Sequence, residues 1–331
     1  MRTVIGITSL ALCVGASALA APPTMQGVVV SADGSLSVAT LPVPTAGQNE
    51  VLIKVRAAGV NPVDWKIARS RVGQVPGTDV AGVIDTLGAG VTGWKVGEPV
   101  LGFARRSGSY AEYAVIPVDS LAHKPNGLTF EEAAGVPIAA ETAYRALHET
   151  GHIERGQTVL IHGAAGGVGS AAVQIAKAAG ARVIGTASAN NHDFLVTLGA
   201  DQVIDYRQQK FEDAVKNVDL VLNTADAETS ARSVAVVRPG GVLVSIVGPP
   251  DAAACAAAKI RCVRPDRDTG ASNAIMLARV VELADAGMFK VFVEQTYAMA
   301  DAAQAWDQSR SGHTRGKLVI SVSAGPTMKH Q

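Results

Sequence analysis

The sequence predicts an α/β fold built on a doubly wound parallel sheet. Three observations carry that expectation: a short apolar run that enters a glycine cluster and then a helix-forming stretch, an alternation of strand and helix signals after it, and breaker residues between the units. With 331 residues, 48% of them hydrophobic, the chain can bury two ordinary domains. Lys and Arg total 29 against 29 Asp and Glu, a balance that leaves no electrostatic footprint for a nucleic acid or an anionic membrane.

The first unit begins at Thr158 to Ile161, apolar or β-branched residues that read as a buried parallel strand. Val168 to Ala179 then places apolar residues at helical spacing, and Gly180 ends that helix. Gly163, Gly166 and Gly169 fall at the turn between them, with Ala165, Gly167 and Val168 completing the loop. Missing side chains let the backbone bend, approach a phosphate and pack helix on strand, while free N–H groups at the helix start take up negative charge. Arg182 to Thr186, Gln202 to Asp205, Val218 to Leu222 and Val242 to Ile246 read as further strands. Helical stretches lie at Asn191 to Leu198 and Glu228 to Val237. Pro239, Gly240 and Gly241 are expected to close the last helix and turn the chain into its strand, and Ile260 to Val263 adds a sixth strand. These parts make a complete dinucleotide fold.

The end of the second strand selects the dinucleotide, because an NAD site usually places an acid there for the ribose 2′-OH. No acidic residue occurs between Gly163 and Asp193. Ser188 and Asn191 stand there instead, able to donate hydrogen bonds without repelling a 2′-phosphate, and Tyr206 and Arg207 follow the third strand as groups that either close over that phosphate or merely flank a surface loop. The reading is NADPH rather than NADH.

HGAAGGVGSAAVQIAK at 162 to 177 joins four other motifs in order: AAGVNPVDWK at 57 to 66, VPGTDVAGVI at 75 to 84, GSYAEYAVIP at 108 to 117 and HTRGKLVISV at 313 to 322. Together they resemble the medium-chain dehydrogenase/reductase superfamily, and within it the zinc-independent quinone oxidoreductase, zeta-crystallin-like, branch. The resemblance runs from Met25 to Val322. It implies a Rossmann doubly wound parallel sheet, in an NADP-binding domain at 131–288, inserted into a GroES-like β-barrel catalytic domain at 25–130 plus 289–323, with the active site in the cleft. It further implies that Thr142 reaches the nicotinamide ribose, that Ser245 and Ile246 hold the carboxamide through the backbone, and that Lys317 returns from the tail to the cleft. Relatives dimerise through the edge strand of the nucleotide domain, which makes a homodimer the expectation and Ile260 to Val263 its edge. One departure concerns the cofactor. A Lys often found in the 2′-phosphate loop of related enzymes is replaced by Asn190, Asn191 and His192.

The residues point away from zinc on their own account. A catalytic zinc needs three protein ligands of Cys, His or carboxylate type. The zinc-using relatives carry Cys in the first motif and His-Glu in the second, where this chain has Asn61 and Thr78-Asp79. His148-Glu149-Thr150-Gly151-His152 fits the string of zinc proteases, but Gly151 is expected to end the helix before the second His.

Without a Lewis acid, acceptors that are already electrophilic remain accessible: a quinone or an α,β-unsaturated carbonyl takes hydride into a conjugated system and the charge spreads to oxygen. The protein then aligns the acceptor and supplies hydrogen-bond donors and a proton. The resemblance gives that role to Asn61 and Lys66 in NPVDWK. Carbonyl reduction by the same machinery, or NADPH binding without turnover, stays open.

The N-terminus reads as a secretory signal peptide over residues 1–20, with Arg2, an apolar run from Val4 and an A-x-A box at Ala18 to Ala20. Either the enzyme is exported, to the periplasm or beyond, or the true start is Met25 and it stays cytoplasmic. No later segment has the length and apolarity of a membrane span. Cys13 leaves with the leader, Cys255 and Cys262 are expected as unpaired thiols, and 324–331 as a tail with little to pack against.

Overall fold

The computed structural model describes residues 23–105, 108–248, 251–265 and 273–322. The leader, Cys13 and the tail lie outside those residues. Six parallel strands form one sheet in the spatial order Gln202–Asp205, Arg182–Ala187, Thr158–His162, Val218–Asn223, Val237–Ser245 and Arg261–Val263. The order reverses at Thr158–His162, which opens a crevice at the carboxyl ends of the strands. Val159, Leu160 and Ile161 are fully buried, as a parallel strand covered by helices on both faces must be. Each such side chain contributes about 1.5–3 kcal/mol by leaving water.

The helix Gly167–Ala178 follows the glycine turn. Gly163 adopts a left-handed φ of +65°, and a Cβ on Gly169 would lie 2.2 Å from the Gly163 carbonyl oxygen. Both positions exclude a side chain, so the first turn of the helix presses directly on the loop backbone.

A second, mainly antiparallel sheet runs Val293–Ala298, Lys317–Ser321, Glu50–Val60, Asp79–Leu87, Pro99–Phe103 and Leu121–His123, with Tyr113–Pro117 also paired to Glu50–Val60. A hairpin of Thr24–Val30 and Leu36–Pro42 stands beside it. The last strand therefore pairs with the first long one, and the parallel sheet is an insertion between them. One apolar cluster holds Ala57, Leu101 and Phe103 of this sheet together with Val159, Ile161 and Ala172 of the other, so the core is continuous across the boundary.

Several elements differ from the sequence reading. The helix expected at Glu228 to Val237 stops at Ser233 and continues as one 3-10 turn, Val234–Val236. Pro239, Gly240 and Gly241 lie inside the strand Val237–Ser245 rather than before it, because its pairing with Val218–Asn223 slips between Val218 and Leu220 and the bulge absorbs them. Gly240 takes a φ of +79° there. The stretch at Asn191 to Leu198 opens with a 3-10 turn, and its helix covers His192–Thr197. Cys255 and Cys262 form a disulfide instead of two thiols. The short helix Ala252–Ala257 folds back on the edge strand and brings their Cα atoms to 6.1 Å, within bridging range. His148 lies in the helical turn Arg145–Thr150, whereas His152 sits beyond Gly151 with a φ of +52°, so the two rings share no helix face. Among the described residues no helix is long and apolar enough to cross a membrane.

Gly169→Ala is expected to cost about 1–3 kcal/mol of stability through the clash with Gly163 and Ala164. Urea denaturation reads it directly, and an unchanged midpoint would mean that the loop backbone yields to a methyl group.

Candidate active site

Asn61 ends the strand Glu50–Val60 and precedes the short helix Pro62–Lys66. Gly59 pairs with Asp79 on one neighbouring strand, and Val60 pairs with Leu318 on the other. That register delivers Asp79 and Lys317 to either side of Asn61. The Asn61 Nδ2 donates to Asp79 Oδ2 at 2.9 Å, and Lys317 Nζ donates to Asn61 Oδ1 at 2.5 Å and to the Val60 carbonyl at 3.1 Å. Asp79 Oδ2 also lies 3.7 Å from Lys317 Nζ, and Asp79 Oδ1 accepts from the Ile138 N–H at 3.0 Å. An ammonium only donates and a carboxylate only accepts, so the two neighbours fix which way the Asn61 amide points. Among the described residues the second N–H of that amide has no hydrogen-bond partner.

A second layer backs the first. Asp64 Oδ2 accepts from the Asn61 backbone N–H and from the Tyr110 hydroxyl, each at 2.9 Å, and Trp306 Nε1 donates to the Tyr110 oxygen at 3.3 Å. Asn61, Asp64, Asp79, Tyr110, Trp306 and Lys317 are all buried. Burial, against the backbone bond from Asn61, pushes the Asp64 carboxyl up to about 7. Burial also pushes Asp79 up to about 6, against the pull of Lys317. It draws the Lys317 ammonium down and, with Asp64, drives the Tyr110 hydroxyl well above its ordinary value.

On the parallel-sheet side, the N–H groups of the first turn of Gly167–Ala178 have no partner within the helix, and a Cβ on Gly166 in the turn before them would meet only the Gly163 carbonyl oxygen, at 3.5 Å. Ser245 ends its strand with a buried hydroxyl that has no hydrogen-bond partner among the described residues, and the Ile246 N–H donates to the Asn223 carbonyl at 3.1 Å. Thr142 sits half-buried on the helix Pro137–Tyr144. Ser188 and Asn191 are joined through Asn191 Nδ2 and Ser188 Oγ at 3.3 Å. At the end of the neighbouring strand, His162 is held between Thr186 Oγ1 at 3.1 Å and Ser233 Oγ at 3.0 Å, and burial lowers it to about 4. The Ser233 hydroxyl donates to the Thr229 carbonyl, so it accepts from His162 Nε2–H, and the ring is neutral.

The structure thus brings Asn61 and Lys317 together, and Lys317 is a neighbour of the phosphate loop as well: a Cβ on Gly167 would meet its side chain at 3.0 Å. Lys66 lies apart from the cluster, exposed, with its ammonium 5.3 Å from the Trp65 ring centre. Tyr206 is 52% exposed, with the Arg207 guanidinium over its ring. The sequence reading passed over Asp64, Asp79 and Arg315. The Asn61-x-x-Asp64 spacing is that of a helix cap and was a usable signal for Asp64. Among the described residues no three His, Cys, Asp or Glu side chains are grouped so as to hold a metal ion.

Comparison with known proteins agrees with this architecture. Residues 47–126 match the alcohol dehydrogenase GroES-like domain, and 198–320 match a family described as zinc-binding dehydrogenase. A 2-methylene-furan-3-one reductase of Solanum lycopersicum is 33% identical over 84% of this chain and 73% of its own length. The chloroplastic NADPH-dependent alkenal/one oxidoreductase of Arabidopsis thaliana is 32% identical over 90% of this chain and 80% of its own. The solved structure of a quinone oxidoreductase from Coxiella burnetii superposes with a TM-score of 0.81 at 29% identity, covering 91% of this chain and all of that one.

The raised carboxyls make stability depend on pH. A carboxyl that holds its proton more tightly when folded contributes stability fully below its unfolded value of 3.8 and loses it as pH rises through about 6 to 7. His162 works in the other sense, its contribution present above 6.5 and lost as pH falls toward about 4. Asp64→Asn is therefore expected to flatten the decline of urea-denaturation stability between about pH 4 and 7. An equally steep decline in the variant would show that Asp64 does not carry it.

Proposed function

The chain belongs to the zinc-independent quinone oxidoreductase branch of the medium-chain dehydrogenase/reductase superfamily and is an oxidoreductase; on that premise we propose that it reduces quinones or α,β-unsaturated carbonyls with NADPH. The names of its relatives supply the two acceptor classes and the cofactor. The observation that carries the reading is the Asn61 amide, pinned by Lys317 and Asp79 with one N–H that has no partner among the described residues.

The nicotinamide nucleotide, when bound, supplies the hydride. Its pyrophosphate would rest on the turn at Gly163, Ala165, Gly166, Gly167, Val168 and Gly169, where a Cβ on Gly166 would meet only the Gly163 carbonyl oxygen, at 3.5 Å, and the backbone stays open to a ligand. Its 2′-phosphate would meet Ser188, Asn191 and Tyr206. Its nicotinamide end would meet Thr142, Ile246 and the unpartnered Ser245 hydroxyl, with Lys317 alongside. Asn61 then holds the acceptor oxygen by its remaining N–H, in an orientation fixed before the charge arrives. The buried Lys317 ammonium lies directly behind that amide and polarises it. Lys66, at the exposed end of the same helix, delivers the proton that completes the reduction.

The Cys255–Cys262 bridge favours an oxidising compartment, in keeping with export after Ala20. Sequencing the mature protein from its own cell is expected to start at Ala21; a start at Met25 would return the enzyme to the cytoplasm.

NADPH absorbance should fall with 1,4-quinones and with simple enones as acceptors, and tight binding with no loss across both classes would refute the reading. Lys66→Met is expected to lower turnover about 10²-fold or more with NADPH affinity held within about twofold. Unchanged turnover would remove Lys66 from the reaction.

A further inference from the structure

The loop that meets the adenosine ribose is short of positive charge. Asn190, Asn191 and His192 occupy it, and no Lys or Arg stands between Ser188 and Asp193. The structure brings in a cation from elsewhere. Arg315, in the segment that leads into the last strand of the other sheet, donates from Nε to Asn191 Oδ1 at 2.7 Å and from Nη2 to the Asn190 carbonyl at 3.1 Å. Its guanidinium lies 5.7 Å from the Phe194 ring centre and 5.8 Å from that of Phe292, so one ring from each part of the chain supports it.

Three features mark this junction as more than a brace. The two bonds leave donors in the guanidinium fork unspent. No carboxylate among the described residues neutralises the guanidinium; Glu294 takes the Arg315 backbone N–H instead. Directly beside the bonded pair in the chain, His192 Nε2 and Thr314 Oγ1 are buried without a hydrogen-bond partner among the described residues. Buried polar atoms are rarely left unpaired unless a water or ligand serves them. A half-buried, uncompensated guanidinium at the end of the second strand fits a phosphate dianion through paired N–H groups.

We propose that Arg315 supplies, from across the domain boundary, the positive charge that binds the 2′-phosphate of NADPH. The inference rests on the NADPH reading above and extends it, because the same residue then selects the cofactor and ties the two halves of the chain together. Immediately after it, the Gly316 N–H donates to the Ala165 carbonyl at 2.8 Å, so the segment that carries Arg315 also lies on the phosphate loop.

The test is equilibrium titration of the full-length wild type and Arg315→Gln with NADPH, NADH, adenosine 2′,5′-bisphosphate and 5′-AMP, alongside melting of the unliganded proteins to confirm folding. The variant should weaken NADPH and the bisphosphate by about 10- to 100-fold while NADH and 5′-AMP change by less than about threefold. Equal weakening of NADPH and NADH would assign Arg315 to the pyrophosphate or to bracing alone, and an unchanged NADPH affinity would remove it from the site; either result overturns the inference and leaves the NADPH reading standing. A wild type that binds NADH as tightly as NADPH overturns both.

Discussion

One ammonium group, that of Lys317, is buried where three strands meet, and the rest of the site is arranged around it. A buried charge that loses its partners costs several kcal/mol, so Val60, Asn61 and Asp79 cannot move away independently. Lys317 starts the last strand of the second sheet, Asn61 follows the first long strand, and Asp79 opens the next. These residues are adjacent only if the chain, after building the parallel sheet, returns to the sheet it left. The insertion topology and the charge cluster therefore require each other.

The same return segment fixes how the two halves face one another. Gly316 hydrogen-bonds to Ala165, the Lys317 side chain runs past Gly167, and the apolar core passes from Phe103 to Ile161 without a break. Hydride transfer depends on holding donor and acceptor at near-contact distance, where a misplacement of about 1 Å costs on the order of 10²-fold in rate. Here that distance is set by packed backbone and not by a linker. Gly169 serves this directly, since a side chain there would push the helix off the loop, and a side chain at Gly163 would collide with Thr224.

What could be read from the sequence follows from how local each signal is. The strand Thr158–His162, its glycine turn and the helix after it depend on neighbours along the chain, and they emerge almost residue for residue. Gln202–Asp205 does so too. Pro239 to Gly241 carry a strong local turn signal that tertiary pairing overrides, because a bulge can house residues that a regular strand cannot. Cys255 and Cys262 sit on elements whose spacing does not reveal that the helix folds back onto the strand. Asn61 and Lys317 could each be named from the resemblance, but their contact spans 256 positions. Arg315 and Asn191 are 124 apart, and neither carries a local cue to the other. The charge cluster is legible only once the register of the second sheet is known.

The geometry also divides the chemistry between residues. Lys317 has its donors directed at Val60, Asn61 and Asp79, and giving up a proton would leave Asp79 as a buried, uncompensated anion. Asp64 holds its proton up to about 7, yet it is enclosed by the Asn61 backbone and the Tyr110 hydroxyl. Neither group can release and regain a proton on each turnover without disturbing the Asn61 amide they position. On the proposed reaction, stabilising the developing charge and delivering the proton would fall to different places: the buried network, and an exposed group outside it, the role proposed for the exposed Lys66. Keeping the network's charge fixed holds the donor oriented through the reaction, and preorganised donors stabilise a transition state most when they do not have to turn toward it.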